Sequence, residues 1–198
     1  MPITMIKNNH ISAVANLKQQ GASLLEVLIT ILIMSFGLLA LGGLTTASLQ
    51  YNKMAQFQTI GLQLASEYAD RMRSNVTAFN ANSYNITAAY TGASASVSVP
   101  SCASTICTTA EIAAIDIAEW TNALRRRLPG GAAFVQRNGN MAVDIWVMWV
   151  DPSLLYTSTS GNSDAAVAAA GSNCPAAALT SLPTGVTAPR CMYFRVSL

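Results

Sequence analysis

The sequence predicts an α+β fold in which a long N-terminal helix, membrane-spanning in its lower half, packs by its upper half on an antiparallel β-sheet, with a second helix and a long C-terminal loop region. Three observations carry that expectation. An apolar run from Leu24 holds no charge other than Glu26 until Lys53, and it passes without a break into an amphipathic pattern. Asn138-Gly139, the strongest short-range sign of a β-hairpin, stands between two strand-like stretches. A third such stretch, Met192 to Val196, ends the chain.

The first element is apolar all round up to about residue 50. Beyond it Phe57, Ile60, Leu64, Tyr68 and Met72, three or four apart, form one stripe. A single helix of about 50 residues follows, roughly 75 to 80 Å long at 1.5 Å per residue. Its Leu, Ile, Val, Phe and Met side chains each favour insertion by roughly 0.3 to 0.6 kcal/mol, which outweighs the cost of about 3 kcal/mol for one central acid. The helix therefore inserts, and Glu26 is left as a local cost that calls for a partner. Gly37, Gly42 and Gly43 interrupt this half. Their plain reading is close helix packing by small residues.

Residues 76 to 107 are rich in Ser, Thr, Ala and Asn and read as connecting structure, with Tyr90 to Val99 the one plausible strand. Thr108 and Glu111 make a capping-box signature. Ala113, Ile117, Trp120, Leu124 and Leu128 then trace an apolar face before Pro129-Gly130-Gly131, so a second helix is expected over about 109 to 128. Arg125, Arg126 and Arg127 suit the negative pole of that helix, and otherwise read as a solvated end. Strands are expected over Ala133 to Gln136 and Met141 to Val150. In the second, Met141, Val143, Ile145, Val147 and Trp149 share one face and Asp144, Trp146 and Met148 the other, so both faces are partly apolar and one lies against the long helix. The tract from Asp151 to Arg190 reads as a variable or partly disordered loop whose Ala-rich centre could form a short helix.

With 198 residues and 52% hydrophobic content, the chain has room for one modest domain beyond its apolar segment, not for a two-domain enzyme. All nine acids lie at or after Glu26, while Lys7 and Lys18 precede it. That distribution fits the positive-inside rule, with the start in the cytoplasm and the bulk outside the inner membrane. Cys102, Cys107, Cys174 and Cys191 all fall in the exported part, where disulfides persist. Four cysteines allow three pairings. Short loops favour Cys102 with Cys107 and Cys174 with Cys191, and closing a loop of about 15 residues stabilises by roughly 3 kcal/mol. A four-cysteine zinc site is the alternative, and the spacings lack its close C-x-x-C pairs.

Gly21-Ala22-Ser23-Leu24-Leu25-Glu26 resembles the class III signal of type IV pilins and pseudopilins, in which a peptidase cuts after the glycine and the fifth residue of the product is glutamate. The resemblance implies cleavage at Gly21/Ala22 by prepilin peptidase and a salt bridge from Glu26 to the N-terminal amine of a neighbouring subunit. Such a pair gains far more in a poorly hydrated bundle than in water. Ala22 stands where the family usually has an N-methylated phenylalanine, which bears on methylation of this terminus. Further along, Leu64 to Asn75, Asp116-Ile117-Ala118-Glu119-Trp120 with Leu124, Leu128-Pro129-Gly130-Gly131 and Val143 to Trp149 are similar to PilV-type minor pilins in order and spacing. This likeness implies a leader over 1–21, a transmembrane and assembly helix over 22–52, and a periplasmic globular domain over 53–198. It also implies other minor pilins and the major pilin as partners in type IV pilus assembly, adhesion and twitching motility. The 21-residue leader is long and could also reflect an upstream start codon. Its removal leaves nine basic and nine acidic side chains, a neutral mature chain.

His10, the sole histidine, is lost with the leader, so no His-based triad, general base or metal cluster is expected, and no cofactor or small-molecule substrate. Glu111, Asp116 and Glu119 are expected on the solvated side of the second helix, not as a glycosidase pair. Asn75-Val76-Thr77 and Asn85-Ile86-Thr87 match the glycosylation pattern, which occurs often by chance. A type II secretion pseudopilin shares the N-terminal physics. A DNA-uptake pilin would want a basic stripe beyond Arg125 to Arg127, and a membrane-anchored enzyme would want a reactive constellation. Substitution of Gly21 is expected to leave the full-length form uncut in cells with working processing machinery, as read by intact mass.

Overall fold

The computed structural model describes residues 23–139, 141–151, 173–180 and 182–198. The elements are α1 (Leu24–Ser74), α2 (Val76–Asn80), α3 (Thr109–Arg127), β1 (Ala132–Asn138), β2 (Ala142–Trp149), a short α4 (Ala176–Leu179) and β3 (Arg190–Ser197). The chain divides into two units, one ending at Thr46 and one running from Ala47 to Leu198. This is the pilin-like α+β arrangement expected: a long N-terminal apolar helix, a three-stranded antiparallel sheet and further helices.

In the first unit α1 is exposed on every side. It is long and apolar enough to cross a membrane, with a mean hydropathy of 2.5 over its best stretch. Its hydroxyls do not stand free. Thr30 donates to the Val27 carbonyl, Ser35 to Leu32, and both Thr45 and Thr46 to Gly42. Bonded back into the helix in this way, the four hydroxyls carry no unpaired donor, the condition for placing them in an apolar medium.

In the second unit the strand order is β1-β2-β3. Partners across the sheet include Val135, Ile145 and Phe194 on one face, and Phe134, Trp146 and Tyr193 on the other. The first face meets the stripe of α1, whose Leu64, Ala65, Tyr68, Ala69 and Met72 share a core with Val143, Ile145, Val147 and Trp149. A Cβ at Gly61 would stand 3.6 Å from the Val147 side chain, so the helix backbone lies close on the strand. The opposite face carries an aromatic series, Phe134 to Trp146 at 5.8 Å and Trp146 to Tyr193 at 5.0 Å, and a smaller core of Tyr90, Phe134, Met148 and Ala178. Both faces of β2 are thus partly apolar, as its sequence suggested. Met141 is the exception: it precedes β2, its side chain is exposed, and its carbonyl accepts the Leu198 N–H.

Helix α3 is fastened at both ends by the residues that marked it. The Thr108 hydroxyl accepts the Glu111 N–H, and the Glu111 carboxylate accepts the Thr108 N–H at 2.7 Å. At the other end Gly130 takes φ +59, where a side chain would collide with Tyr90 and Val150. Between them Trp120 is fully buried, stacks on Tyr68 at 4.0 Å and donates its indole N–H to the Leu64 carbonyl at 2.9 Å. That bond reaches a carbonyl already used within α1 and joins the two helices directly.

Tyr90 to Val99 is not a strand. Its backbone finds partners elsewhere: the Tyr90 N–H bonds the Ala178 carbonyl, and Val97 exchanges two bonds with the Asn122 side chain. The edge of β1 is met instead by Ile86, which makes an isolated bridge to Val135. The Ala-rich centre of the 151–190 tract lies outside the described residues; α4 falls after it. Replacing Trp120 by alanine is expected to destabilise the second unit by about 3–5 kcal/mol, the usual cost of deleting a buried aromatic, read by denaturant unfolding of the detergent-solubilised chain. A loss near zero would refute the placement of Trp120 as the joint between α1 and α3.

Candidate assembly interface

Among the described residues, the N-terminal half of α1 is an extended apolar surface that makes no contact with the rest of the fold. Leu24 is 91% exposed and Leu39 73%, and Leu, Ile, Val, Met and Phe side chains project around the full circumference from Leu24 to Leu49. An apolar surface of this extent is not sustained in water and marks a membrane or protein contact. Glu26 sits in the first turn, exposed, with its N–H shared between the Ser23 carbonyl and the Ser23 hydroxyl. The position suits an acid, because the unpaired N–H groups of a helix start carry partial positive charge. Gly21 and Ala22, the expected cleavage site and the candidate methylation site, lie outside the described residues.

The structure brings together Cys102 with Cys107 and Cys174 with Cys191. The first bridge closes a small loop that Glu111 also holds, through the Ala103 N–H. The second ties the segment before α4 to the start of β3. With its charge bonded by the Thr108 N–H, the Ala103 N–H and the Thr108 hydroxyl, the Glu111 carboxyl lies below the usual carboxylate range.

Asp116 and Glu119 are not merely solvated, which corrects the expectation for α3. Arg71, near the end of α1, donates to Asp116 and to Glu119 at 2.9 Å each and to Glu67 at 3.1 Å. Burial alone would lower the Arg71 pKa, and the bonds to Glu119, Asp116 and Glu67 outweigh it and raise it. Tyr84 donates to the second oxygen of Asp116 at 2.6 Å, and its own carbonyl accepts the Tyr68 hydroxyl. Sequence reasoning missed this cluster because its partners are 45 residues apart; only the Glu67–Arg71 spacing of four was open to it.

A second cluster lies on the outer face of the sheet. Arg195 holds Asp144 with two bonds, at 2.7 and 2.9 Å, and Tyr193 and Asn138 donate to the same carboxylate. The Arg195 bonds, then those of Asn138 and Tyr193, depress the Asp144 pKa to about 2 against the opposing effect of burial. The three arginines ending α3 are partly engaged: Arg125 donates to the Ala95 carbonyl and Arg127 to Gln63. Asn75 caps α2 and donates to the Thr109 carbonyl, and Asn85 accepts the Arg137 N–H, so both candidate acceptor amides have structural work in the fold. Among the described residues no three His, Cys, Asp or Glu side chains are grouped to hold a metal.

Over residues 16–42 the chain matches the prokaryotic N-terminal methylation motif. The match covers 27 of the 198 residues and supports a type IV pilin-like N-terminal segment. It also fits anchoring in the membrane through the apolar helix. No curated protein and no solved structure matches the chain.

The Asp144 cluster sets a pH dependence. A carboxyl whose pKa is about 2 when folded and about 3.9 when unfolded stabilises the fold above the higher value, and that contribution is lost as the pH falls through the lower one. Asp144→Asn is expected to melt below the unaltered protein near pH 7, the gap closing as the pH approaches about 2. A gap constant across that range would contradict the assignment.

Proposed function

We propose that this chain is a minor pilin of the PilV type. It is made as a prepilin, held in the inner membrane by the lower half of α1 with its second unit in the periplasm, and cut between Gly21 and Ala22. It then enters a type IV pilus, where it takes part in initiating assembly with other minor pilins and the major pilin, and so affects adhesion and twitching motility. The observation that carries this reading is the methylation motif over residues 16–42, set on a helix whose apolar side chains from Leu24 to Leu49 are exposed.

The physical step is transfer of that surface from lipid to a helix bundle. Hydrocarbon contact is exchanged for side-chain packing, which alone gives little orientation, because lipid tails are as apolar as leucine. Glu26 supplies the orientation. Cleavage would place a new amine four residues before it, and pairing with the amine of an adjacent subunit neutralises both charges where water is scarce. One ion pair per subunit then sets the axial step. Methylation of the Ala22 amine would keep its charge.

Glu26→Leu is expected to insert in the membrane at the unaltered level and to be depleted about tenfold or more from sheared pili, the loss that follows from removing one partner of a desolvated pair. Equal recovery from the pilus fraction would overturn the role given to Glu26. A mature chain beginning at Ala22 by mass spectrometry supports the prepilin reading, and one beginning after residue 40 rejects it. Deletion that abolishes secretion with intact piliation would favour the pseudopilin alternative.

A further inference from the structure

We propose that a cleft on the second unit, where the chain leaves its apolar stretch, seats the phosphate of a phospholipid whose headgroup carries a net negative charge and no cation of its own. The cleft has a volume of about 380 Å³, and its lining includes Tyr51, Lys53, Met54, Phe57, Asp151 and Arg190. The inference rests on the reading of the preceding stretch of α1 as membrane-spanning.

Charge is the first argument. Among the described residues of the lining, two cations, Lys53 and Arg190, face one acid. Asp151 is buried and binds the Arg190 Nε at 2.6 Å, which fixes the guanidinium while about half of that side chain stays exposed. Lys53 is exposed on the same cleft. An ammonium and an oriented guanidinium around one space suit a phosphate monoanion, the first as a mobile point charge and the second as a fixed fork.

Position is the second. A hydrocarbon core of about 30 Å takes roughly 20 helical residues, and the headgroup layer on each side adds several more. Counting from Glu26, the apolar stretch fills the core, and Gln50 to Lys53 follow Leu49 directly, at headgroup depth. Tyr51 is 77% exposed there, and tyrosine with lysine is the pairing that the interface favours.

The third is the wall. Met54 and Phe57 give the cleft a half-buried apolar side. A freely soluble phosphate gains nothing from it, whereas the glycerol ester region beneath a lipid phosphate does. The occupant is therefore a lipid, held before the subunit leaves the membrane.

The test uses the full chain reconstituted in vesicles of phosphatidylcholine, alone or mixed with phosphatidylglycerol, one lipid at a time bearing a photoactivatable group near its phosphate. Labelling by phosphatidylglycerol is expected at Tyr51 to Met54 and around Arg190, and to fall about fivefold in Lys53→Gln, as loss of one cation at an anionic surface dictates. Lys53→Arg should restore it, and the phosphatidylcholine signal should not change. Equal labelling by the two lipids, or an unchanged signal in Lys53→Gln, overturns the headgroup site. Full competition by soluble glycerol phosphate overturns the choice of a lipid as occupant. Alkaline carbonate separates this from the underlying reading: a chain stripped from the vesicles refutes the membrane span itself, and a chain retained but unlabelled refutes only the cleft.

Discussion

The second unit depends on the contact of Trp120 with α1. A helix that buries only one stripe needs something to lie along it, and the sheet covers that stripe from one side through Val143, Ile145, Val147 and Trp149. Helix α3 supplies the rest by laying an indole flat on Tyr68 and bonding the Leu64 carbonyl. Stacking fixes the spacing of the two helices and the hydrogen bond fixes their register, so position along α1 and rotation about it are set together. Tyr68 in turn reaches the Tyr84 carbonyl, which draws the connecting segment down beside them.

The polar clusters extend the same logic to the rim. Arg71 lies one turn beyond Tyr68 on the helix and gathers acids from its own element and from α3, so the seam closed by aromatic packing inside is closed by charge outside. Partly exposed ion pairs each contribute little. Their larger effect is on specificity, because Asp116 must meet both the Arg71 guanidinium and the Tyr84 hydroxyl at once. Asp144 plays a comparable part on the sheet, where Arg195 is its direct cross-strand partner and Asn138 reaches it from the end of β1.

Legibility in the sequence followed the range of the forces. Capping of α3 by Thr108 and Glu111, its arrest at Pro129-Gly130-Gly131, and the hairpin around Asn138-Gly139 are local, and each was readable within a few residues. The stripe on α1 and the two-faced pattern of β2 were readable from period alone. Tyr90 to Val99 misled because alternation of residue type says nothing of who satisfies the backbone, and here the Asn122 side chain and the Ala178 carbonyl do so. The acids of α3 were misjudged for a related reason: helical spacing puts Glu119 away from the apolar face but Asp116 only at its edge, and the end of α1 runs past them and brings Arg71 to both. At the candidate assembly interface the motif Gly21 to Glu26 was plain in sequence, whereas the back-bonded hydroxyls of Thr30, Ser35, Thr45 and Thr46 needed coordinates.

The bond between Cys174 and Cys191 has a consequence for how such a protein can change over time. It anchors the return of the chain at the start of β3, while β2 anchors its departure at Trp149. Whatever sequence joins those two fixed points can lengthen at small expense, since doubling a closed loop costs only about 0.6 kcal/mol. Changes of length between those points therefore leave strand register and the helix seam in place.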